Sequence, residues 1–294
     1  MTVLDPLLLR RRFGKAAGTF DSAAVLPREA GKRLLESLDY LDDRQPAVVL
    51  EVGCGTGHTA AILKKRWPKA RVIALDAALP MLRQAKSQAG WWKPFTRLCG
   101  DAAALPLADG SVDVIVSNLT LPFVNDIAAV LAGFRRVLKP GGLLVCSTYG
   151  SETLGELDYA FSKADDAPHV HPFAPIATFG DALMRAGFRD PVIDRDLFTL
   201  TYADLPALMA ELRALGYANT RTDRRRTLTG KGRFADAARA YDALRLPDGK
   251  LPSTWEILYA HAWAPDPGAP IRQHGQDIAA VPISAIPIRR KPRD

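Results

Sequence analysis

The stretch Val48-Val49-Leu50-Glu51-Val52-Gly53-Cys54-Gly55-Thr56-Gly57 constrains this 294-residue chain more than any other part of it. A β-branched, apolar run passes directly into three glycines at alternate positions, the pattern of a strand, a tight turn and the start of a helix. Glycine suits such a turn because it takes φ > 0 without strain, and because a ligand can approach a backbone that carries no Cβ. On its own the pattern is also compatible with an ordinary strand-to-helix turn.

Two further apolar runs place acids at matching points. Arg71-Val72-Ile73-Ala74-Leu75-Asp76 ends in a carboxylate 19 residues beyond Gly57, the interval expected of a ribose-binding acid at the tip of a neighbouring strand. Thr96-Arg97-Leu98-Cys99-Gly100-Asp101 ends in a second carboxylate, followed by the small residues Ala102 to Ala104. Either aspartate also reads as a helix N-cap. The two-and-two spacing of the glycines differs from the G-x-G-x-x-G of dinucleotide sites, and no G-x-x-x-x-G-K-[ST] occurs, so the expected ligand is not held by a pyrophosphate.

With these residues in place the chain resembles the class I methyltransferases that use S-adenosylmethionine, whose first motif is E-x-G-x-G-x-G. The resemblance implies that Gly53, Gly55 and Gly57 hug the amino-acid end of the cofactor and that Glu51 supports their loop. It implies that Asp76 holds the ribose hydroxyls and that Asp101, with Ala102, faces the adenine. It also implies the fold: α/β, a doubly wound, mostly parallel seven-stranded Rossmann-like sheet with helical lid insertions.

The rest of the chain fits that architecture. A strand at Val112–Asn118, a helix from about Asp126 to Leu138, a turn at Lys139-Pro140-Gly141-Gly142 and a strand at Leu143–Thr148 continue the alternation that builds a parallel sheet. Phe188–Thr201 and Thr254–Trp263 supply the last two strands, one of them antiparallel by the resemblance. Residues 1–40 are expected to form a helical lid, since Phe13, Ala16, Ala17 and Phe20 share one helix face. Residues 41–263 would be the methyltransferase domain, with lid insertions at about 150–175 and 203–250. Residues 264–294 are rich in Pro, Gly and Ala and end in a basic run, so this tail is expected to be disordered.

The loop after the fourth strand, Asn118-Leu119-Thr120-Leu121-Pro122-Phe123, lacks the [DN]-P-P-[YF] of amino-group methylases. Asn118 reads either as a strand-end cap or as a cofactor or substrate contact. Four segments carry a closer resemblance, covering nearly the whole chain except the tail. They are Phe13-Gly14-Lys15-Ala16-Ala17-Gly18-Thr19-Phe20-Asp21, Ser117-Asn118-Leu119, Thr148-Tyr149-Gly150 running to Thr153-Leu154-Gly155-Glu156-Leu157, and Leu215-Gly216-Tyr217-Ala218-Asn219 leading to Arg224-Arg225-Arg226-Thr227-Leu228-Thr229-Gly230-Lys231. Together they look like the malonyl-acyl-carrier-protein O-methyltransferases of biotin synthesis. The chain departs from that pattern in Tyr217-Ala218-Asn219, where Ala-Thr-Asn is more usual, and in the proline-rich extension after Trp263.

The resemblance implies methylation of the free carboxylate of a malonyl thioester, priming pimeloyl synthesis, with acyl carrier protein or coenzyme A as the thioester carrier. Phe13, Phe20, Arg224, Arg225, Arg226 and Lys231 are the substrate- and carrier-side candidates, and Tyr149 is a candidate to orient the carboxylate. The N-terminal motif and glycine loop are shared with complex I assembly methyltransferase-like proteins. A methyltransferase acting on another small acid or a quinone, or a methyltransferase-like assembly or hydroxylase protein, is therefore the alternative.

Charge bears on the partner. Residues 221 to 233 hold six basic residues against Asp223, five of the formal net +7, so the basicity is local. An acidic carrier protein bearing a phosphopantetheine phosphate would be steered by such a segment, which also reads as a solvated loop. Nucleic acid is not expected, because no aromatics are interleaved for stacking. The reaction needs no general base, since a malonyl carboxylate is ionised at neutral pH; a hydroxyl or a single arginine would suffice to orient it. No metal is expected, because His169-x-His171 lacks a third nearby ligand. No apolar run reaches the length of a membrane span, and Leu7–Arg12 reads as a basic edge rather than a twin-arginine signal. The odd count of three cysteines, set in or beside strands and the glycine loop, points to reduced thiols and the cytoplasm.

Overall fold

The structure, a computed structural model, describes residues 3–41, 45–90, 94–227 and 229–266, and the backbone of 271–273 and 276–278. Seven strands form one sheet: β1 (Val48–Val52), β2 (Arg71–Asp76), β3 (Thr96–Cys99), β4 (Val112–Ser117), β5 (Leu138–Tyr149), β6 (Arg189–Tyr202) and β7 (Leu251–Trp263). Their order is β3-β2-β1-β4-β5-β7-β6. The pairs from β3 to β5 are parallel, and β7 runs antiparallel to both β5 and β6. This is the doubly wound, mostly parallel sheet expected.

Side-chain alternation explains why the central strands read as continuous apolar runs. Val49, Val72, Ala74, Val114 and Val116 enter the core on one face of the sheet. Leu50, Val52, Ile73, Leu75 and Ile115 enter the core on the other. With helices on both faces, both register positions favour apolar residues. Helix α6 (Ile127–Val137) shows the complementary logic, burying Val130, Leu131, Phe134 and Val137 on one stripe, while the Asp126 side chain caps its first turn through the Ala129 N–H at 2.9 Å.

Three expectations are revised. The Lys139-Pro140-Gly141-Gly142 turn lies within β5 as a bulge, the register jumping from Val112↔Leu138 to Val114↔Leu143, with Gly141 at φ +67°. The N-terminal segment is not one helix: α1 (Pro6–Ala16) stops, and α2 (Phe20–Ala23) and α3 (Val25–Glu36) follow. Phe13, Ala16, Ala17 and Phe20 still share one cluster, packed on Ala78 and Met81. The tail departs from disorder at its start, where Ala264 is buried and exchanges backbone hydrogen bonds with Gly141 and Gly142. Ile271–Gln273 (β8) then pairs with Gln276–Ile278 (β9), and the remainder of 264–294 lies outside the described residues.

The inserted helices are not a detached flap. From α7 (Gly155–Ser162), α9 (Leu205–Ala214) and α10 (Lys231–Asp242), the residues Leu157, Phe161, Leu208, Leu212, Ala237 and Tyr241 join the same buried cluster as the strands. A further helix, α8 (Ile176–Arg185), buries Phe179 and Leu183 on the opposite face. Among the described residues no helix is long and apolar enough to cross a membrane.

Candidate active site

Strand order reverses between β1 and β4, and a crevice outside the carboxyl ends of the strands is the expected ligand site at such a switch point. A cavity of about 410 Å³ lies there, with walls from the ends of β1, β2 and β4 and from the loops after β3 and β4. Helix α1, with Phe20, Asp21, Pro27 and Arg28, roofs it. The volume suits a nucleoside-sized molecule.

The three glycines do different work. Gly53 sits at φ +74°, and a Cβ there would fall 1.8 Å from Thr120 Oγ1, so its bare backbone makes room for the β4 loop. Gly57, at φ +83°, would push a Cβ to 2.9 Å from both Ala85 Cβ and Phe95 Cζ; it serves packing and does not line the cavity. Gly55, at φ +51°, would aim a Cβ at open cavity, with Phe20 Cε1 at 4.0 Å the nearest atom. The close approach of a ligand therefore falls to Gly55.

Two acids stand behind the loop. Glu51 is 3% exposed in the middle of the sheet, and its Oε2 has no hydrogen-bond partner among the described residues. Burial pushes its carboxyl well above the usual carboxylate range, and the Asp76 charge adds to the effect. Asp76 accepts the Gly55 N–H at 2.9 Å and the Ala78 N–H at 2.7 Å, and burial raises its carboxyl too. Each oxygen keeps a lone pair for a hydroxyl in the cavity. Asp101 braces the Ala103 N–H at 3.0 Å and forms an ion pair with Arg10 of α1 at 2.6 Å. Ala102 lines the same end. An orphaned acid, hydroxyl acceptors, a glycine cradle and a loop 53–57 with no Lys or Arg fit a cationic, unphosphorylated nucleoside.

Contacts with the glycine loop and β4 hold the roof in place. Thr56 Oγ1 donates to Asp21 at 2.7 Å, and Asp21 pairs with Arg28 at 3.3 Å. Asn118 lines the cavity, but its side chain is committed elsewhere: Nδ2 donates to the Pro27 carbonyl at 2.9 Å, and Oδ1 accepts from Ser147 Oγ at 2.8 Å. It thus ties α3 to the sheet while Leu119, at φ +52°, turns the chain.

Beyond the β4 loop the cavity becomes aromatic. Phe13 meets Phe123 edge-on at 5.0 Å, and Tyr217 lies 5.1 Å from Phe123. Tyr149 does not line the cavity; it is 2% exposed and stands behind Tyr217, to whose hydroxyl its own donates at 3.0 Å. Sequence reasoning placed Tyr149 at the substrate, whereas the surface position belongs to Tyr217. Only the tertiary approach of the 215–219 turn to the β4 loop reveals that. Arg10, missed for the same reason, is read in sequence as part of a basic edge.

The basic segment is divided between interior and surface. Arg221 pairs with Asp223 at 2.8 Å, and Arg224 donates to the Arg221 carbonyl at 2.7 Å. Arg225 reaches Asp165 at 3.1 Å, where Arg233 and His169 also converge. Arg226 and Lys231 are exposed and make no ion pair among the described residues. The segment adjoins the mouth of the cavity, since Arg221 bridges to Leu4 and Leu4 lines it. Among the described residues no cluster of three or more His, Cys, Asp or Glu could hold a metal ion.

The fold is similar to those of solved methyltransferases. A Bacillus halodurans C-125 protein solved as a methyltransferase matches with a TM-score of 0.56 at 17% identity, over 79% of this chain and 98% of that one. A Haemonchus contortus phosphoethanolamine-type N-methyltransferase, in complex with phosphomonomethylethanolamine and S-adenosylhomocysteine, matches with a TM-score of 0.52 at 16% identity, over 80% of this chain and 53% of that one. Residues 50–146 match the family described as methyltransferase domain. The fold and site together define an S-adenosylmethionine-dependent methyltransferase of class I. A Xylella fastidiosa relative, malonyl-[acyl-carrier protein] O-methyltransferase, is 55% identical over 98% of this chain and 98% of its own length. The chain belongs to the malonyl-[acyl-carrier protein] O-methyltransferase family.

Proposed function

We propose that the enzyme methylates the free carboxylate of a malonyl thioester carried on acyl carrier protein, giving the methyl ester that primes pimeloyl synthesis. The observation that supports this reading best is the cavity itself: acids and a bare Gly55 at one end, an apolar aromatic chamber at the other. When bound, S-adenosylmethionine supplies a sulfonium methyl group, so that a new C–O bond to the carboxylate forms as the C–S bond breaks and its electron pair stays on sulfur.

The protein's part is to bind, align and exclude water. Glu51 and Asp76 stabilise a cation, Gly55 admits it closely, and α1 with Phe13 and Phe20 covers it. Aligning two reactants in this way is worth roughly 7–11 kcal/mol in favourable cases. No residue has to take a proton, because the acceptor is already ionised. Opposite charges disappear together as the ester forms, and a dry, aromatic chamber favours that neutralisation over solvated ions. Arg226 and Lys231, exposed on the basic segment, would meet the acidic face of a carrier protein. Buried free thiols at Cys54 and Cys146 suit a reducing compartment, and we place the enzyme in the cytoplasm.

The test is incorporation of labelled methyl into malonyl-carrier protein, malonyl-coenzyme A and free malonate. Preferred labelling of the carrier is expected. Transfer to coenzyme A alone would move the carrier assignment, and transfer to none of the three would overturn the acceptor.

A further inference from the structure

We propose that the Tyr217 hydroxyl, backed by Tyr149, is the donor that holds the acceptor's carboxylate in the aromatic end of the cavity and thereby selects acyl groups that carry one. The proposal rests on the malonyl reading and deepens it. Tyr149 is buried, and the one hydrogen-bond partner of its hydroxyl among the described residues is Tyr217, 3.0 Å away. Tyr149 has a single proton to give and gives it to Tyr217. The proton of Tyr217 then has to point elsewhere, and it meets no acceptor among the described residues. Tyr217 lines the cavity, and we place that proton toward it.

The ring is fixed on its other sides by Phe123 at 5.1 Å, Phe13 at 6.1 Å and Trp255 at 6.3 Å. The other polar side chains at this end are held by bonds to the backbone. Thr120 Oγ1 donates to the Val52 carbonyl at 3.1 Å, Asn125 Nδ2 to the Leu4 carbonyl at 3.0 Å, and Asn118 Nδ2 to the Pro27 carbonyl. A carboxylate entering this largely aromatic chamber would be desolvated, at a cost that a well-placed donor relieves.

A neutral donor also suits the chemistry better than a cation. A guanidinium would stabilise most strongly the charge that must vanish in the transition state, so part of its binding energy would oppose the reaction. A hydroxyl polarised by a second hydroxyl orients the oxygen at smaller ground-state cost. Burial pushes the Tyr217 phenol up to about 12, so it stays a donor at neutral pH.

The experiment compares binding of malonyl-carrier and acetyl-carrier proteins to the full-length enzyme with S-adenosylhomocysteine present, together with kcat and KM for malonyl-carrier. The acetyl group lacks only the carboxylate. In Tyr217→Phe, affinity for malonyl-carrier and kcat/KM should each fall roughly tenfold, the worth of one hydrogen bond to a charged group, while affinity for acetyl-carrier stays unchanged. Tyr149→Phe should give a smaller loss in the same direction. A wild-type preference for malonyl that Tyr217→Phe retains overturns the inference alone, as does an equal loss of both affinities, which would make the pair a packing element. A wild type that binds the two carriers equally overturns the inference and the acceptor reading together.

Discussion

A methyl group added at Gly55 and one added at Gly57, two residues apart, would meet different parts of the molecule. The first would enter the ligand cavity, the second the side chains of Ala85 and Phe95. Gly55→Val also forces a β-branched residue to φ +51°, a strain of about 1–3 kcal/mol. It should lower S-adenosylmethionine affinity at least tenfold by calorimetry. Asp76→Ala should do the same, because it removes both the hydroxyl acceptor and the brace on the Gly55 amide. Gly57→Ala should instead lower the melting temperature, at an overpacking cost of about 1–3 kcal/mol, with affinity of the folded protein nearly unchanged. Affinity unchanged in both Gly55→Val and Asp76→Ala would refute the cofactor site. All three glycines were legible in the sequence because the local turn demands them. What each makes room for was not, because Thr120, Ala85 and Phe95 arrive from other elements.

At the scale of elements, the 215–222 turn is held over the cavity by a histidine that must stay neutral. The Thr220 N–H donates to His171 Nε2 at 3.2 Å, which requires that nitrogen to be unprotonated. Burial, with the nearby Arg221 charge, pushes His171 down to about 4. Its folded value lies below the unfolded one, so its contribution to stability is fully present above about pH 6.5 and is lost as pH falls toward about 4. Allowing for its partial exposure, that contribution is about 2 kcal/mol. His171→Gln keeps an acceptor for Thr220 without a titrating group. Urea unfolding at about pH 7 and pH 4.5 should show a smaller acid loss in the variant than in the wild type; equal losses would rule this role out. The sequence reading of His169 and His171 as a poor metal pair says nothing of this, because Thr220 lies 49 residues away. The strands were far more legible: β2 spans the Arg71–Asp76 read in sequence, because its central residues Val72–Leu75, covered on both faces, form an apolar run. The inserted helices were less so. Their apolar stripes pack on the same core as the sheet, and nothing local distinguishes that from a loose lid.

For the whole molecule, the net charge of +7 is less concentrated for docking than the run at 221–233 suggests. Arg221, Arg225 and Arg233 face Asp223 or Asp165 and hold the segment together. Reversing the entire run would therefore confuse unfolding with lost docking. Arg226→Glu with Lys231→Glu changes two exposed charges instead, and should raise KM for malonyl-carrier severalfold at low salt, with little effect on malonyl-coenzyme A. The difference should shrink near physiological ionic strength, where the Debye length is about 8 Å. Equal effects on both substrates, or no salt dependence, would remove these two residues from the docking face. The central claim, that this cavity esterifies a malonyl carboxylate, is tested most directly by locating the transferred methyl group. Malonyl-carrier protein treated with the enzyme and S-adenosylmethionine would be analysed by fragmenting mass spectrometry before and after mild alkali. The account predicts one methyl group on the distal carboxylate of the malonyl arm, present as an alkali-labile ester. A methyl group on a carrier side chain, or none on the malonyl arm, would contradict it.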